Sequence, residues 1–251
     1  MKNKVFISGS ISIKKLPKEV KKSIDKIIQN NFEILVGDAS GIDTLVQEYC
    51  LLQNYFNVTI YSISILPRYK ASENFKTKYI EVTNSIKKER ERQQEKDKAM
   101  SMDSEFTFAI WDGKSKGTYD NILRGLKNNK KIKVYLSKSD LFLEQNKITK
   151  DKIEFIYRED NGYTASEIVQ HLKDKAEGFF QKTQDLNKYL LYESVIEKED
   201  RIYKPTNKYK DLFIVDKYHG KIKGIKFKNE FISWIEKHIK EERKLQQTSL
   251  F

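Results

Sequence analysis

Three short loops in the first half of the chain carry residues suited to holding phosphate. They are Ser8-Gly9-Ser10-Ile11-Ser12, Gly37-Asp38-Ala39-Ser40-Gly41-Ile42-Asp43 and Asp112-Gly113-Lys114-Ser115-Lys116-Gly117-Thr118. Glycine lets the backbone approach a ligand closely, and the helix start that follows each loop offers unpaired N–H groups and a positive dipole end. Ser10, Ser115 and Thr118 add hydroxyl donors, and Lys114 or Lys116 adds a cation. One such loop means little, because Gly and Ser are ordinary turn residues. Three of them, each directly after a strand, point to a phosphorylated ligand. Asp112 ends its strand at this site and is the first candidate for ligand contact. Neither GxGxxG nor the Walker pattern occurs, which argues against an ordinary dinucleotide enzyme or a P-loop ATPase.

The elements that must position these loops alternate in type. Lys4 to Ser8, Glu33 to Val36, Val58 to Ile63, Phe106 to Trp111 and Ile132 to Leu136 read as short buried strands. Between them, Val20, Ile24, Ile27 and Ile28, then Ile42, Leu45, Val46 and Tyr49, then Tyr119, Ile122, Leu123 and Leu126, recur at helical spacing. Pro17 opens the first of these helices. The pattern predicts an α/β fold, a Rossmann-like parallel sheet with helices on both faces and ligands at the carboxyl ends of the strands. The long charged connection from Pro67 to Met102 reads in two ways. It is a solvated helix laced by i,i+4 pairs, or a helix across the pocket mouth with Arg90, Lys96 and Lys98 meeting phosphate.

The segments FISGSISI, ILVGDASGIDTLVQEY, KDKAM and IWDGKSKGTYDNI, in that order, resemble the SLOG superfamily over residues 1–140. That group includes DNA-processing protein A and the LOG nucleotide phosphoribohydrolases. The resemblance implies a nucleotide or nucleotide-derived ligand, no further cofactor, and self-association into a homo-oligomer. It implies ligand contacts from Gly9, Ser10, Gly37, Asp38, Gly41, Asp43, Lys96, Asp97, Gly113 and Ser115, with Gly117-Thr118 matching the phosphate loop of the LOG enzymes. Their catalytic glutamate falls where this chain has Asn121, with Asp120 beside it. Cleavage of an N-glycosidic bond needs a carboxylate, and Asn121 cannot ionise. Asp112 and Asp120 are the candidates to replace it, which leaves an enzyme of the N-glycosidase type as the alternative to a binding protein. Asp43, in a first helical turn, also suits a capping role.

A second unit follows. Residues 141–160 read as a connector with one strand, and residues 161–240 as a small α+β domain. Thr164-Ala165-Ser166-Glu167 is a capping box. Helices after Thr164 and Thr183, two hairpins, and a last helix from Asn229 fit a winged helix-turn-helix. YTASEI, LNKYLL, IYKPTNKY and KFKNEFISWI resemble the KilAC-type domain of phage antirepressors. That resemblance implies a DNA partner and a phage-defence or mobile-element context. Thr183, Gln184, Asn187 and Lys188 would begin the recognition helix. Lys204, Lys208, Lys210, Lys221 and Lys223 would meet backbone phosphates. Residues 241–251 read as a flexible tail, and Gln247, Ser249, Leu250 and Phe251 resemble the pentapeptide that binds the bacterial sliding clamp.

Composition supports the same picture. The chain has 251 residues, with 48 basic and 36 acidic groups and a net charge of +12, which favours a polyanionic partner. Arg201 to Lys228 alone holds nine basic and two acidic residues, a local excess of the kind that tracks a phosphate backbone. Twenty-eight Phe and Tyr residues supply a core, so wholesale disorder is excluded. The single cysteine, Cys50, fits a buried thiol in a reducing cytoplasm. His171, His219 and His238 are too scattered for a zinc site, and no run approaches the ~18 apolar residues of a membrane span.

Overall fold

The computed structural model describes residues 3–175 and 179–248, which divide into two compact units at Glu154/Phe155. In the first unit, β1 (Lys4–Gly9), β2 (Glu33–Val36), β3 (Val58–Ser62), β4 (Lys76–Tyr79), β5 (Phe106–Trp111), β6 (Lys131–Leu136) and β7 (Leu141–Phe142) form one sheet in the order β4-β3-β2-β1-β5-β6-β7. All pairings are parallel except β6 with β7. The order reverses between β1 and β5, because β1 leads outward to β2 and β5 leads the other way to β6. The crevice above that reversal is where such sheets place ligands.

Strand β1 is buried on both faces, which is why its sequence is continuously apolar rather than alternating. Val5 and Ile7 join Ile34, Val36 and Ile60 in a core with α1 (Lys18–Gln29) and α2 (Ile42–Leu52). Phe6, Leu35 and Tyr61 point the other way and meet Met100 of α3 (Glu89–Asp103). α4 (Lys116–Lys127) links β5 to β6. Gly9 belongs to the packing: a Cβ placed there would fall 2.4 Å from Ile42 Cβ. Gly9→Ala is therefore expected to destabilise the protein by about 1–3 kcal/mol through overpacking, measured by urea denaturation; an unchanged midpoint would show that β1 and α2 can move apart freely. Gly41 precedes α2 at φ +80°, with the Ile11 backbone 2.5 Å from its Cβ position, so a side chain there meets both a strained backbone and a clash.

Two departures from the sequence expectation concern elements with weak hydrophobic signals. The connection from Pro67 to Met102 contains β4, whose four residues are all exposed. Its KTKY sequence buries nothing, and lysines are the usual protection of a sheet edge. The connector over residues 141–160 holds little strand: β7 spans two residues, and α5 (Lys150–Asn161) takes up IEFIY. Ile153 and Ile156 are both buried, three residues apart on one helix face, and that spacing outweighs the β-branched local composition.

The second unit contains α6 (Ala165–Lys175), α7 (Thr183–Tyr192), the hairpin β8 (Ile196–Glu199) with β9 (Ile202–Pro205), the hairpin β10 (Phe213–Tyr218) with β11 (Lys221–Phe227), and α8 (Asn229–Thr248). Ile168, Leu172, Leu186, Leu190, Phe213, Phe227, Phe231 and Ile235 form its core. The capping box is present: the Thr164 N–H donates to Glu167 Oε2 at 2.8 Å, and the Glu167 N–H to Thr164 Oγ1 at 3.3 Å. α8 continues to Thr248, so the segment read as a flexible tail from residue 241 is helical to that point. Charged residues with good helix propensity (EERK) extend it past Ile239, which is buried. No helix among the described residues is long and apolar enough to cross a membrane.

Candidate functional site

A cavity of about 300 Å³ opens at the carboxyl ends of β1 and β5, at the reversal of strand order. Ser8, Gly9, Ile11 and Ser12 come to it from β1 and its loop. Asp112, Ser115, Gly117, Thr118 and Asn121 come from the loop after β5 and the first turns of α4, Ala39 and Asp43 from the loop after β2 and the start of α2, and Lys96, Asp97 and Met100 from α3.

The β1 and β5 loops are tied together by hydroxyls. Ser10 Oγ and Ser115 Oγ share a hydrogen bond of 2.7 Å, Ser115 Oγ donates to Thr118 Oγ1 at 2.9 Å, and the Asp112 N–H donates to Ser10 Oγ at 3.1 Å. Asp112 is the organiser of its own loop. Its carboxylate accepts the N–H groups of Lys114 and Ser115 at 2.9 and 2.7 Å and the Ser12 hydroxyl at 2.6 Å. Burial pushes its pKa up, but these bonds outweigh burial and hold it below the usual carboxylate range. The remaining amides of the first turn, those of Lys116, Gly117 and Thr118, have no acceptor within the helix. A Cβ built on Gly117 meets nothing within 4 Å. The α4 N-terminus therefore faces open space in the cavity.

On the other side stands a buried charge cluster. Lys96 is 3% and Asp38 2% exposed. Lys96 Nζ donates to Asp38 Oδ1 at 2.8 Å, as does the Arg68 guanidinium at 2.7 Å, and the Ser62 hydroxyl and Arg68 N–H donate to Oδ2 at 2.9 and 3.2 Å. Burial opposes ionisation of Asp38, yet the Arg68 hydrogen bond and the Lys96 charge hold its pKa far below normal. Asp43 behaves oppositely. Burial, only partly offset by Lys96 and reinforced by the Asp97 charge, raises its pKa to about 7. Burial also raises the pKa of Asp97 against the pull of Lys96. One ammonium thus acts on three carboxylates: with Arg68 it holds the Asp38 pKa down, while burial outweighs its pull at Asp43 and Asp97.

The fold brings together Gly9, Asp43, Lys96, Asp97, Asp112, Ser115, Gly117, Thr118 and Asn121 as expected contacts on one cavity wall or another, with Ser10 bonded directly beneath. It withholds others. The space at Gly37 is occupied: a Cβ there would lie 2.3 Å from Asp43 Oδ2 and 3.0 Å from Lys96 Nζ. Gly37 is therefore a packing glycine under the charge cluster, and the expectation that it cradles phosphate is corrected. Asp38 is enclosed by Lys96, Arg68 and Ser62 and does not line the cavity. Gly41 turns against Ile11, and Gly113 faces the Lys138 side chain. Arg90 is exposed on α3 and also lies outside the lining. Asp120 bonds Gln94 at 3.2 Å and lies 3.9 Å from Lys116 Nζ, away from the cavity. One residue is ~100° on a helix, enough to turn Asp120 out while Asn121 points in, so Asp120 does not replace the missing glutamate. Asn121 Nδ2 donates to Ser8 Oγ at 2.8 Å and to Asp97 at 3.3 Å.

Arg68 and Gln93 line the cavity without having been singled out. Arg68 follows the third strand, so inspecting every post-strand loop would have found it. Gln93 lies one helical turn before Lys96 and carries no sequence signal of its own.

In the second unit, Gln184 and Lys188 are exposed on α7 and Thr183 and Asn187 are half-buried. Lys208, Lys210, Lys221 and Lys223 are exposed, and Lys208 lies over the Tyr209 ring at 4.9 Å. Lys204 is ion-paired with Glu199, so its charge is already partly neutralised. Of the clamp-binding-like peptide, Gln247 has a helical backbone, while Ser249, Leu250 and Phe251 lie outside the described residues.

No protein-family model matches the chain, and no curated protein does. Among solved structures it is similar to DNA processing protein A from Helicobacter pylori, in a structure concerned with that protein's single-stranded DNA binding mode. The identity is 15%, the match covers 76% of this chain and 81% of that one, and the TM-score is 0.38.

Proposed function

We propose that the N-terminal unit binds a nucleoside monophosphate or a derivative of that size, and that the C-terminal unit engages DNA. The observation that carries the first part is the open α4 N-terminus in the cavity: three first-turn amides, no side chain at Gly117, and the hydroxyls of Ser115 and Thr118. Phosphate suits that end, because fixed N–H dipoles replace its hydration. The Lys96 side of the cavity then meets the sugar or base. A volume of about 300 Å³ lies at the small end of ligand sites, which run from about 300 to 1,000 Å³, and so fits a mononucleotide better than a dinucleotide. Calorimetric titration with the four common nucleoside monophosphates is expected to show saturable binding that the corresponding nucleosides lack. Equal affinity for nucleoside and nucleotide would remove the phosphate reading.

One observation favours a second reading, an N-glycosidase. Asp43 faces the cavity with a pKa of about 7, a value suited to a general acid at neutral pH. Release of free base on incubation, abolished by Asp43→Asn, would establish it; no release from any common nucleotide would leave binding alone.

The DNA reading rests on the lysines of β11 and on the outward face of α7. Duplex DNA is expected to shift in gels at low salt and to be released as salt rises, since displaced counterions drive such contacts. Lys221→Glu with Lys223→Glu should weaken the shift roughly tenfold and reduce its salt dependence. Salt-independent retention, or none at any salt, would make this unit a protein contact.

A further inference from the structure

The cavity at the carboxyl ends of β1 and β5 holds two carboxylates whose hydrogen-bonding capacity is not used up. Asp43, at the start of α2, and Asp97, on α3, both line it. Asp43 Oδ2 accepts the Ala39 N–H at 3.1 Å, and Asp97 Oδ2 accepts Asn121 Nδ2 at 3.3 Å. Among the described residues, the Oδ1 atom of each accepts no hydrogen bond. An ionised carboxylate has about four acceptor sites. The neighbouring Asp38 and Asp112 fill theirs much further, with four and three donors. Burial raises the pKa of both Asp43 and Asp97, as expected for carboxylates taken from water with too few donors in return.

Asp97 is also held in place. Asn121 fixes its Oδ2, and Asn121 is itself fixed, with Nδ2 on Ser8 Oγ at 2.8 Å and Oδ1 accepting from Arg124. Asn121 follows Thr118 by three residues, ~4.5 Å along the α4 axis. A phosphate on the α4 N-terminus would therefore lie about one helical turn from the carboxylate that Asn121 holds. In a nucleoside monophosphate the group at that remove from the 5′-phosphate is the ribose, and the donors on it are the 2′ and 3′ hydroxyls. The occupant of this wall is a neutral donor rather than a second anion, because Asp43 and Asp97 already repel each other. A metal ion suits it less, because the Lys96 ammonium acts on both carboxylates and would repel another cation.

We infer that Asp97 accepts a hydrogen bond from the ribose cis-diol of the bound nucleotide, with Asn121 as its positioning residue, so that the cavity takes ribonucleotides and rejects their 2′-deoxy forms. A carboxylate suits ribose hydroxyls because it only accepts and they readily donate. The bond is strengthened by the charge of the acceptor. A ligand that lacks the hydroxyl leaves the Asp97 oxygen desolvated and without a partner, and that cost is what discriminates. This inference rests on the phosphate reading proposed above and adds to it the sugar and the residue that reads it.

The test is calorimetric titration of the full-length protein with adenosine, guanosine, cytidine and uridine 5′-monophosphates, with the 2′-deoxy form of each, and with ribose 5-phosphate. Each ribonucleotide is expected to bind roughly tenfold tighter or more than the 2′-deoxy form with the same base, and ribose 5-phosphate to compete with it. Asp97→Leu has a similar size and no acceptor. It should bring the two sugars within about threefold of each other while leaving the affinity for the 2′-deoxy form unchanged. Asp97→Asn keeps an acceptor oxygen without the charge and should fall between; if the leucine variant fails to fold, this variant and the sugar comparison in the unaltered protein still decide. Equal affinity for matched ribose and 2′-deoxyribose forms would overturn the inference and leave the phosphate reading standing. Binding of neither sugar would remove both. Discrimination that survives Asp97→Leu would overturn the assignment to Asp97. So would a preference that follows the base, with uridine monophosphate excluded and the sugar ignored, since Asp97 would then meet an amino group of the base.

Discussion

Replacing Lys96 with methionine is expected to lower stability at pH 7.5 by about 3–5 kcal/mol, the loss typical when one partner of a buried ion pair is removed. The side chain is 3% exposed and is the shared cation of Asp38, Asp43 and Asp97. Methionine fills much of the volume, so the expected loss is electrostatic rather than a cavity effect. Guanidinium denaturation measures it, and a loss below ~1 kcal/mol would mean that Arg68 alone satisfies Asp38. Combining Lys96→Met with Asp38→Asn should cost less than the sum of the two, because the second change removes the charge that the first leaves unpaired.

The same cluster sets a pH dependence. Asp43 is held at about 7 in the folded chain, above its unfolded value near 4. Between those values the folded state keeps a proton that the unfolded chain has released. The contribution of Asp43 is therefore complete below the unfolded value and is lost as pH rises through about 7. Asp97, also raised, acts in the same direction. Asp38, held low, contributes above the ordinary carboxylate range and loses that contribution on acidification. Asp43→Asn, whose amide oxygen can still accept the Ala39 N–H that Asp43 accepts at 3.1 Å, is expected to flatten the fall in stability between pH 5 and 8.

Gly117→Glu separates ligand binding from folding. The position lies in the first turn of α4, where its Cβ has open space. Replacing a helical glycine with glutamate gains about 0.5–1 kcal/mol of helix propensity, and an acidic residue suits the N-terminus. The same side chain enters the cavity and places a negative charge where phosphate is proposed to sit. Nucleotide affinity should fall roughly 100-fold, about 2.8 kcal/mol, while the denaturation midpoint holds or rises. Retained affinity would place the ligand elsewhere, and a lower midpoint would show that the space at Gly117 is needed by the fold.

The sequence alone determined the strands and helices whose apolar spacing is strong, and with them the parallel sheet and the loops at its carboxyl ends. Periodicity carries that information because burial repeats with the geometry of each element. The resemblance to the LOG phosphate loop pointed to Thr118 and Asn121, which line the cavity, whereas it took the folded helix to show that Asp120, one residue and ~100° away, does not. The edge strand β4 was silent because it buries nothing, and α5 was misread because two buried isoleucines three apart were hidden in a β-branched run. The roles of Gly37, Asp38 and Asp112 were decided only by tertiary structure. A glycine after a strand looks the same whether it opens onto a ligand or yields to an inward-pointing aspartate. A carboxylate looks the same whether it waits for substrate or is already bound by three donors. Those distinctions depend on which side chains arrive from α3 and from the loop after β3, and no local pattern encodes the meeting of segments tens of residues apart.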